Sequence, residues 1–311
     1  LVFCLISFVS SINISESVVA LASFTTFFMA FVFIYFLSLH IDKNFINFCL
    51  ILFVSASLIE SLSVILSAYD VKYIQNINVE RSLTIRGFAA NINISAFSLV
   101  YKLPFLMYML YKFESKPLKY LSLILLLFSF SAIFLLLSRG AFIAMTVSVI
   151  SFMLIKFRKN TISKTIILLA IILISSIGVQ NTFLNDNKSQ IVDRVSSISF
   201  DRSDDSVNER LNYYSHALLS IKKNPILGIG IGNWKIKSIE YASKIMSAYT
   251  VPYHVHNDFL QIGAEIGLIG LIFYAFVVIY PILICINKIL KKEHNDIHII
   301  VFLVLTSYFI D

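Results

Sequence analysis

The sequence predicts an all-α fold, a polytopic integral membrane protein built as a helical bundle with one large external loop that contains short helices. Its 311 residues are 58% hydrophobic and only 14% charged, and the mean hydropathy is +0.83. Soluble domains average roughly 45–50% apolar and about 25% charged residues. A soluble fold would leave much apolar surface uncovered, so the composition places this chain in lipid.

Long apolar runs are the second observation behind this fold class. A helix that crosses the hydrocarbon core needs about 20 mostly apolar residues, and it satisfies its own backbone amides where lipid offers no partner. The predicted membrane helices, of which we expect the first and last to be partial, are Leu1–Ser10, Val18–Leu39, Ile46–Ala68, Ile94–Tyr111, Leu121–Leu137, Gly140–Ile155, Thr165–Gln180, Asp258–Asn287 and Ile297–Ile310.

The chain divides into three stretches within one membrane domain. Residues 1–180 hold the first membrane helices, residues 181–257 form the large external loop, and residues 258–311 hold the C-terminal membrane helices. The sequence begins inside one apolar run, without a methionine, and ends inside another. We therefore expect both helical stretches to be truncated, and the first run does not indicate a signal peptide.

Lysine and arginine residues in the short loops predict the orientation, because they favour the cytoplasmic side. One alternating set of short loops carries nearly all of them, and the other set carries only Arg139. The basic set, which we expect to be cytoplasmic, comprises Lys43, Lys112, Lys116, Lys119, Lys156, Arg158, Lys159, Lys164, Lys288, Lys291 and Lys292. The long connections at residues 69–93 and 181–257 therefore lie outside, and long ordered loops usually carry function.

Charge and cysteine content favour no other class of protein. The net charge of +7 does not indicate a nucleic-acid partner, because no basic run in a soluble segment is interleaved with aromatic residues. Cys4, Cys49 and Cys285 lie within apolar runs or at their ends. We interpret them as small buried hydrophobic residues rather than as disulfides or metal ligands.

The external loop contains a predicted amphipathic helix at Val207–Lys223, with Arg210 in its first turn, off the apolar stripe. The stripe consists of Leu211, Tyr214, Leu218 and Ile221, whose spacings of three and four residues are typical of one helix face. The glycine-rich segment Pro225–Trp234, here called the glycine loop, permits tight turns or close backbone approach. It is equally consistent with a structural loop and with a ligand contact, and we expect Trp234 to anchor at the membrane interface.

The loop closes with a histidine held directly before a membrane helix. Asn257 or Asp258 can cap that helix, which places His256 at the membrane surface beside the positive end of the helix dipole. We expect this position to keep the imidazole neutral, and a neutral imidazole can accept a proton. Two simpler interpretations stay open: an interfacial histidine with a satisfied hydrogen bond, or a metal site that has His254 and His256 but no clear third ligand.

Three ionisable residues, Glu60, Lys102 and Glu265, lie within predicted spans. Charge is costly there and usually faces a polar interior. Near Glu265, the pair Gly263 and Gly267 predicts close helix packing.

Four short segments occur in order between Arg86 and Leu271. They are Arg86–Ala96, Leu137–Ala141, Arg210 with Asn224–Gly230, and His256–Gln261 with Glu265–Gly270. Each is weakly specific alone. Together, and on the topology above, they resemble the O-antigen ligase/polymerase family.

The resemblance implies a metal-independent membrane glycosyltransferase of the GT-C type, without a cofactor. Members of the family transfer a glycan from a polyprenyl diphosphate carrier to lipid A core, to another carrier-linked glycan or, in some relatives, to a protein. The implied site has His256, Arg139 and Arg210 as catalytic residues, Arg139, Arg210 and Arg86 as ligands of the donor diphosphate, and Asn257 and Asp258 in support. We expect the protein in the bacterial inner membrane, with its active site on the periplasmic or extracellular face.

Two other functions stay open from the sequence. A transporter of a small anion or a lipid-linked sugar would use the ionisable residues within the spans, although the sequence shows no inverted repeat of broken helices. A sensor or assembly scaffold would use the long loop as a binding module, and it would tolerate the loss of both Arg139 and His256.

Overall fold

The computed structural model describes residues 1–40, 44–75, 85–89, 91–156, 159–183, 205–242 and 251–310. All regular structure in these residues is helical, which confirms the all-α polytopic fold. The α-helices are α1 (Val2–Ile6), α2 (Ile14–His40), α3 (Asn44–Tyr69), α4 (Ile92–Lys112), α5 (Lys116–Leu136), α6 (Arg139–Lys156), α7 (Lys159–Phe183), α8 (Asp205–Lys223), α9 (Trp234–Ala242), α10 (Asp258–Leu290) and α11 (Asp296–Tyr308). A 3-10 turn at Ser7–Ser10 follows α1, and a π-helical turn at Asp70–Ile74 extends α3.

Six helices in the described part of the chain are long and apolar enough to cross a membrane. They are α2, α3, α4, α5, α6 and α10, each at the position of a predicted span. The span predicted at residues 165–180 lies within α7, whose described apolar part is the shorter stretch Ile172–Phe183. The amphipathic helix predicted in the external loop is α8, whereas α9 has no counterpart among the predicted elements.

The chain forms two compact units. The loop unit comprises Leu1–Asp42 and Ser199–Tyr280, and the bundle unit comprises Lys43–Ile198 and Pro281–Asp311. Both units contain part of α10, and the boundary falls at Pro281 inside this helix. Proline has no amide hydrogen for the helical ladder, so the ladder lacks one bond at this boundary.

The bundle unit has one continuous apolar core around α4 and α5. α4 packs against α3, α5, α6 and α11, and α5 packs also against α3 and α7. Leu103 on α4 and Leu126 on α5 are fully buried there. A hydroxyl pair, Ser57 with Ser129 at 2.9 Å, links α3 to α5 inside this core. Because lipid is as apolar as leucine, close packing and such hydrogen bonds hold these helices together.

Two of the charges predicted within the spans neutralise each other in the bundle unit. Lys102 on α4 forms an ion pair with Glu60 on α3. The hydroxyl of Ser98 donates to the same carboxylate at 3.0 Å and accepts from the Lys102 ammonium group at 2.6 Å. Both charged side chains are mostly buried, as expected for ionisable groups that face a bundle interior.

Charged residues mark the two ends of α6. Its last residue, Lys156, pairs with Asp296 at 2.6 Å, and the hydroxyl of Tyr108, near the end of α4, donates to the same carboxylate at 2.9 Å. The C-terminal ends of α4 and α6 therefore meet the start of α11. Arg139, the first residue of α6, lies at the opposite end, which accords with the predicted separation of the lysine-rich loops from Arg139.

Two small apolar clusters organise the loop unit. The first cluster contains Ala217, Trp234, Val255 and Ala264, and the second contains Cys4, Ile231 and Ile266. Trp234 is fully buried in the first cluster. The expectation that Trp234 anchors at the membrane interface is therefore wrong, because its ring packs inside the protein.

Candidate functional site

His256 has an uncommon backbone conformation directly before α10. Its φ of +60° is one of three positive values found for non-glycine residues in the described part of the chain. For a residue with a side chain, the left-handed region costs roughly 1–2 kcal/mol. This conformation therefore has to be held by the neighbours of His256.

The residues on both sides of His256 are fixed by hydrogen bonds. The amide of Val255 donates to the side-chain oxygen of Gln261 at 3.2 Å, and its side chain is buried. The side-chain oxygen of Asn257 accepts from the amide of Leu260 at 3.0 Å. Asn257 is thus the cap of α10, one of the two residues predicted for that role, and Asp258 occupies the first helical turn, where an acidic residue complements the helix dipole.

Two tyrosines of α8 contact His256. The hydroxyl of Tyr214 donates to the backbone carbonyl of His256 at 3.1 Å. The ring of Tyr213 stacks on the imidazole, with 6.2 Å between ring centroids and an interplanar angle of 26°. Arg210 lies three and four residues before them, a spacing that puts all three side chains on one part of the helix surface. The expectation that Arg210 lies off the stripe that contains Tyr214 is therefore wrong, since both residues face His256.

The surroundings of His256 lower the pKa of its imidazole. Partial burial of the ring, in a residue that is exposed as a whole, is the main cause. The positive charge of Arg210 is the second cause, and His254 is the third. The direction agrees with the expectation of a neutral imidazole, but the causes are burial and neighbouring charge rather than the dipole of α10. A lowered pKa keeps the ring neutral near pH 7, so the ring can accept a proton there.

Nine residues into α10, the helix is interrupted at Gly267, which has φ +81° and ψ 177°. The predicted packing role holds for Gly263, where an added Cβ would lie 3.0 Å from the side chain of Ile221 on α8. It fails for Gly267, whose backbone breaks the helix. A helix break leaves amide and carbonyl groups without their usual partners, and buried groups of this kind need new ones.

The glycine loop supplies these partners through backbone hydrogen bonds. They run from Ile229 N to Ala264 O at 2.9 Å, from Gly230 N to Glu265 O at 2.9 Å, and from Leu268 N to Pro225 O at 2.8 Å. A Cβ added at Gly228 would lie 2.4 Å from the backbone of Glu265, and one added at Gly267 would lie 2.1 Å from the carbonyl oxygen of Ile226. The close backbone approach expected for the glycine loop is therefore present, against α10.

The carboxylate of Glu265 binds the C-terminal end of the glycine loop. It is 6% exposed, and its two oxygens accept from the amides of Gly232 at 2.9 Å and Trp234 at 3.0 Å. Trp234 is the first residue of α9, so Glu265 also satisfies an amide at the start of that helix. The third charge predicted within a span is thus held by backbone donors.

Arg139 begins α6 after a tight turn in the bundle unit. Leu137 ends α5 with φ +50°, and the hydroxyl of Ser138 donates to the side-chain oxygen of Asn93 at 2.9 Å. Gly140 lies against Phe97 of α4, where an added Cβ would come within 3.0 Å of the ring. These contacts fix Arg139 at the N-terminal end of α4.

Arg86 lies at the same end of α4. The amide of Arg86 donates to the hydroxyl of Ser67 on α3 at 3.3 Å. Its neighbour Gly87 approaches Ser95 so closely that an added Cβ would lie 2.8 Å from the hydroxyl oxygen. Arg86 and Arg139 thus flank the first turn of α4, two positive charges at one end of the bundle unit.

The sequence-predicted site residues fall into two groups. The loop unit holds Arg210, His256, Asn257 and Asp258, and the bundle unit holds Arg86 and Arg139. The two tyrosines of α8 were missed, although their spacing from Arg210 was a usable signal. Within the residues that the structure describes, no three side chains of histidine, cysteine, aspartate or glutamate form a group that could hold a metal ion.

Residues 124–275 match a protein-family model described as O-antigen ligase. The matched stretch begins in α5 and ends in α10. It includes Arg139, Arg210, His256 and Glu265, whereas Arg86 precedes it. No curated protein matches the chain.

Proposed function

Because the chain belongs to the O-antigen ligase/polymerase family, we propose that it transfers a glycan from a polyprenyl diphosphate carrier to an acceptor hydroxyl, with His256 as the general base. The family gives a multi-pass membrane protein of this kind a role in O-antigen or polysaccharide biosynthesis, on lipid-linked glycans in the membrane. The carrier, the reaction and the site residues are our proposal.

The observation that carries the proposal is the environment of His256. Its imidazole has a lowered pKa, stacks on Tyr213, and lies close enough to Arg210 for the guanidinium charge to affect it. A base that is neutral at working pH and held beside a fixed positive charge suits the deprotonation of a hydroxyl next to an anionic substrate.

In the proposed reaction, the oxygen of the acceptor hydroxyl attacks the anomeric carbon of the donor glycan. The hydroxyl proton passes to the imidazole of His256 as the new glycosidic bond forms. The bond between the anomeric carbon and the phosphate oxygen breaks at the same time, and the polyprenyl diphosphate leaves with its electron pair. The imidazolium then returns its proton to solvent.

Arginines stabilise the negative charge that develops on the leaving diphosphate. Arginine is always charged and can donate two parallel hydrogen bonds to phosphate. Arg210 supplies this charge beside the base, and from the family resemblance alone we assign Arg139 and Arg86 to the donor diphosphate. Donors that are fixed before the reaction lower the barrier without having to reorganise. This scheme uses no metal ion and no cofactor.

We place the reaction at the non-cytoplasmic face of the bacterial inner membrane. Support comes from the basic residues of the short loops, which assign the residue 181–257 connection to that side. Lipid A core is the acceptor of a ligase, and a second carrier-linked glycan is the acceptor of a polymerase. The same base and arginines would serve either reaction, since both acceptors present a sugar hydroxyl.

The test is the surface glycan profile, on a gel, of the host strain that lacks this gene. The strain is complemented with the wild-type protein, His256→Ala or Arg139→Ala, and membrane levels of each variant are measured by immunoblot. We expect only the wild type to restore the long glycan. In the strain without the gene, lipid A core without any repeat indicates a ligase, and core with a single repeat indicates a polymerase.

His254→Ala is the matched control, because this histidine lies two residues from His256, makes the smallest of the three contributions to its lowered pKa, and takes no part in the transfer. It should restore the glycan. Full restoration by both His256→Ala and Arg139→Ala would overturn the proposed site and favour a transporter or scaffold. The transporter has little structural support, since the charges of Glu60 and Lys102 are already accounted for by their ion pair.

A further inference from the structure

α8 lies across the segment that carries His256 and uses one face to do so. Ala217 on this face is fully buried against Trp234, Val255 and Ala264. Tyr213 and Tyr214, one turn earlier on the same face, pack at the margin of this cluster. The cluster fixes α8 relative to Val255, and therefore fixes both tyrosines relative to the next residue, His256.

Tyr214 acts on the backbone of His256. His256 precedes Asn257, the cap of α10, so its carbonyl lies outside the hydrogen-bond ladder of that helix. The hydroxyl of Tyr214 donates to that carbonyl at 3.1 Å. With Val255 and Asn257 held by Gln261 and by the amide of Leu260, this bond completes the restraint of the left-handed residue.

Tyr213 acts on the ring of His256. Its ring covers one face of the imidazole at 6.2 Å between centroids, nearly parallel to it. The other groups that act on the imidazole are Arg210 of α8 and His254 of its own segment. Stacking limits rotation of the imidazole about its side-chain bonds and shields one face of the ring.

We propose that Tyr213 and Tyr214 are positioning residues for His256, Tyr214 through the backbone carbonyl and Tyr213 through the imidazole ring. This inference rests on the proposed role of His256 as the base. Besides carrying Arg210, α8 would then hold the imidazole of His256 in one orientation.

The two tyrosines should give different signatures in initial rates measured against pH. The assay uses the full-length protein in lipid nanodiscs, with a polyprenyl diphosphate-linked glycan as donor. Tyr213→Ala admits water to the imidazole, so burial lowers its pKa less. The pKa of His256 then rises towards the ordinary value of about 6.5. As the pH is lowered, protonation of the base should therefore reduce the rate at a higher pH than in the wild type. Tyr213→Phe keeps the ring and should keep the wild-type profile.

Tyr214→Phe removes only the hydroxyl that binds the carbonyl. We expect kcat to fall about two- to tenfold, the equivalent of one neutral hydrogen bond, while the pH midpoint and KM for the donor stay close to wild type. Tyr241→Phe is the control, because its hydroxyl contacts Ser220 rather than His256. It should leave kcat, KM and the pH midpoint unchanged.

A direct titration of His256 by NMR makes the test independent of activity, with the imidazole signal assigned from its loss in His256→Ala. If Tyr213→Ala raises the measured pKa of His256 and Tyr213→Phe does not, the ring contact is established. This conclusion holds even if His256→Ala retains activity, a result that would show that His256 is not the base. If Tyr213→Ala and Tyr213→Phe titrate alike, or Tyr214→Phe behaves like Tyr241→Phe, the positioning role is refuted. Size-exclusion profiles of the variants separate these outcomes from misfolding.

Discussion

The bundle unit and the loop unit are held together by different kinds of contact. In the bundle unit, many buried apolar side chains share the packing around α4 and α5. In the loop unit, the apolar clusters are small, and a few backbone hydrogen bonds join the glycine loop to the break in α10. Distributed packing tolerates single substitutions, whereas the loop unit concentrates its restraints in a few residues. The largest single-residue effects should therefore fall in the loop unit.

Gly267→Ala should give the largest loss of stability. The new Cβ would lie 2.1 Å from the carbonyl oxygen of Ile226, and φ is +81°. The backbones at Gly267 and Ile226 cannot separate without breaking the hydrogen bonds between the glycine loop and the interrupted part of α10. We therefore expect the free energy of unfolding to fall by about 3–5 kcal/mol. Thermal unfolding in detergent and the yield of monodisperse protein measure this. A melting temperature equal to that of the wild type would show that the break is not required.

Glu265→Gln should come next. A glutamine has one acceptor oxygen, so its amide group must face the amide of either Gly232 or Trp234 and leave a buried donor unpaired. The expected cost is about 1–3 kcal/mol, again measured by thermal unfolding. Glu16→Gln is the matched carboxylate control in the same unit. Its ion pair with Lys235 is about one-third exposed, so it should cost less than about 1 kcal/mol. Equal losses in both variants would contradict the special role of Glu265.

Leu126→Ala tests the other side of the comparison. Leu126 is fully buried in the bundle unit. In a bilayer its side chain is transferred from lipid rather than from water, so its contribution to stability comes from packing alone. We expect a loss of about 1–2 kcal/mol, at or below the lower end of values for soluble cores. Leu154→Ala on α6, where the side chain is 80% exposed, should be close to neutral. A loss at Leu126 larger than that at Gly267 would reverse the comparison.

The same contrast explains which parts of the fold were readable from the sequence. Helix periodicity and apolar length are local signals, so the prediction of Leu121–Leu137 matches α5 at Lys116–Leu136, and Val207–Lys223 matches α8 at Asp205–Lys223. The break at Gly267 could not be read in this way. The apolar run continues through it, and the partners that stabilise it lie in the glycine loop, more than 30 residues earlier in the sequence.

The candidate site likewise combines features that local sequence patterns predict with features that depend on distant segments. A histidine before a helix cap is a local pattern, and it led to His256 and Asn257. The stacking of Tyr213 and the bond from Tyr214 depend on how α8 lies across that segment, which no spacing within the segment specifies. Trp234 was misplaced for a related reason, because an aromatic residue next to glycines suggests an interface only while its partners Ala217 and Ala264 are unknown.

Gly178→Ala is the smallest expected effect, and the one with the opposite sign. It makes the same chemical change as Gly267→Ala, but Gly178 lies within α7, and an added Cβ there would meet nothing within 4 Å. Alanine favours a helix over glycine by up to about 1 kcal/mol, so the melting temperature should rise slightly or stay unchanged. If Gly178→Ala destabilised the protein as much as Gly267→Ala, the loss could not be ascribed to the helix break. It would instead reflect a general sensitivity to glycine replacement, and the contrast between the two units would fail.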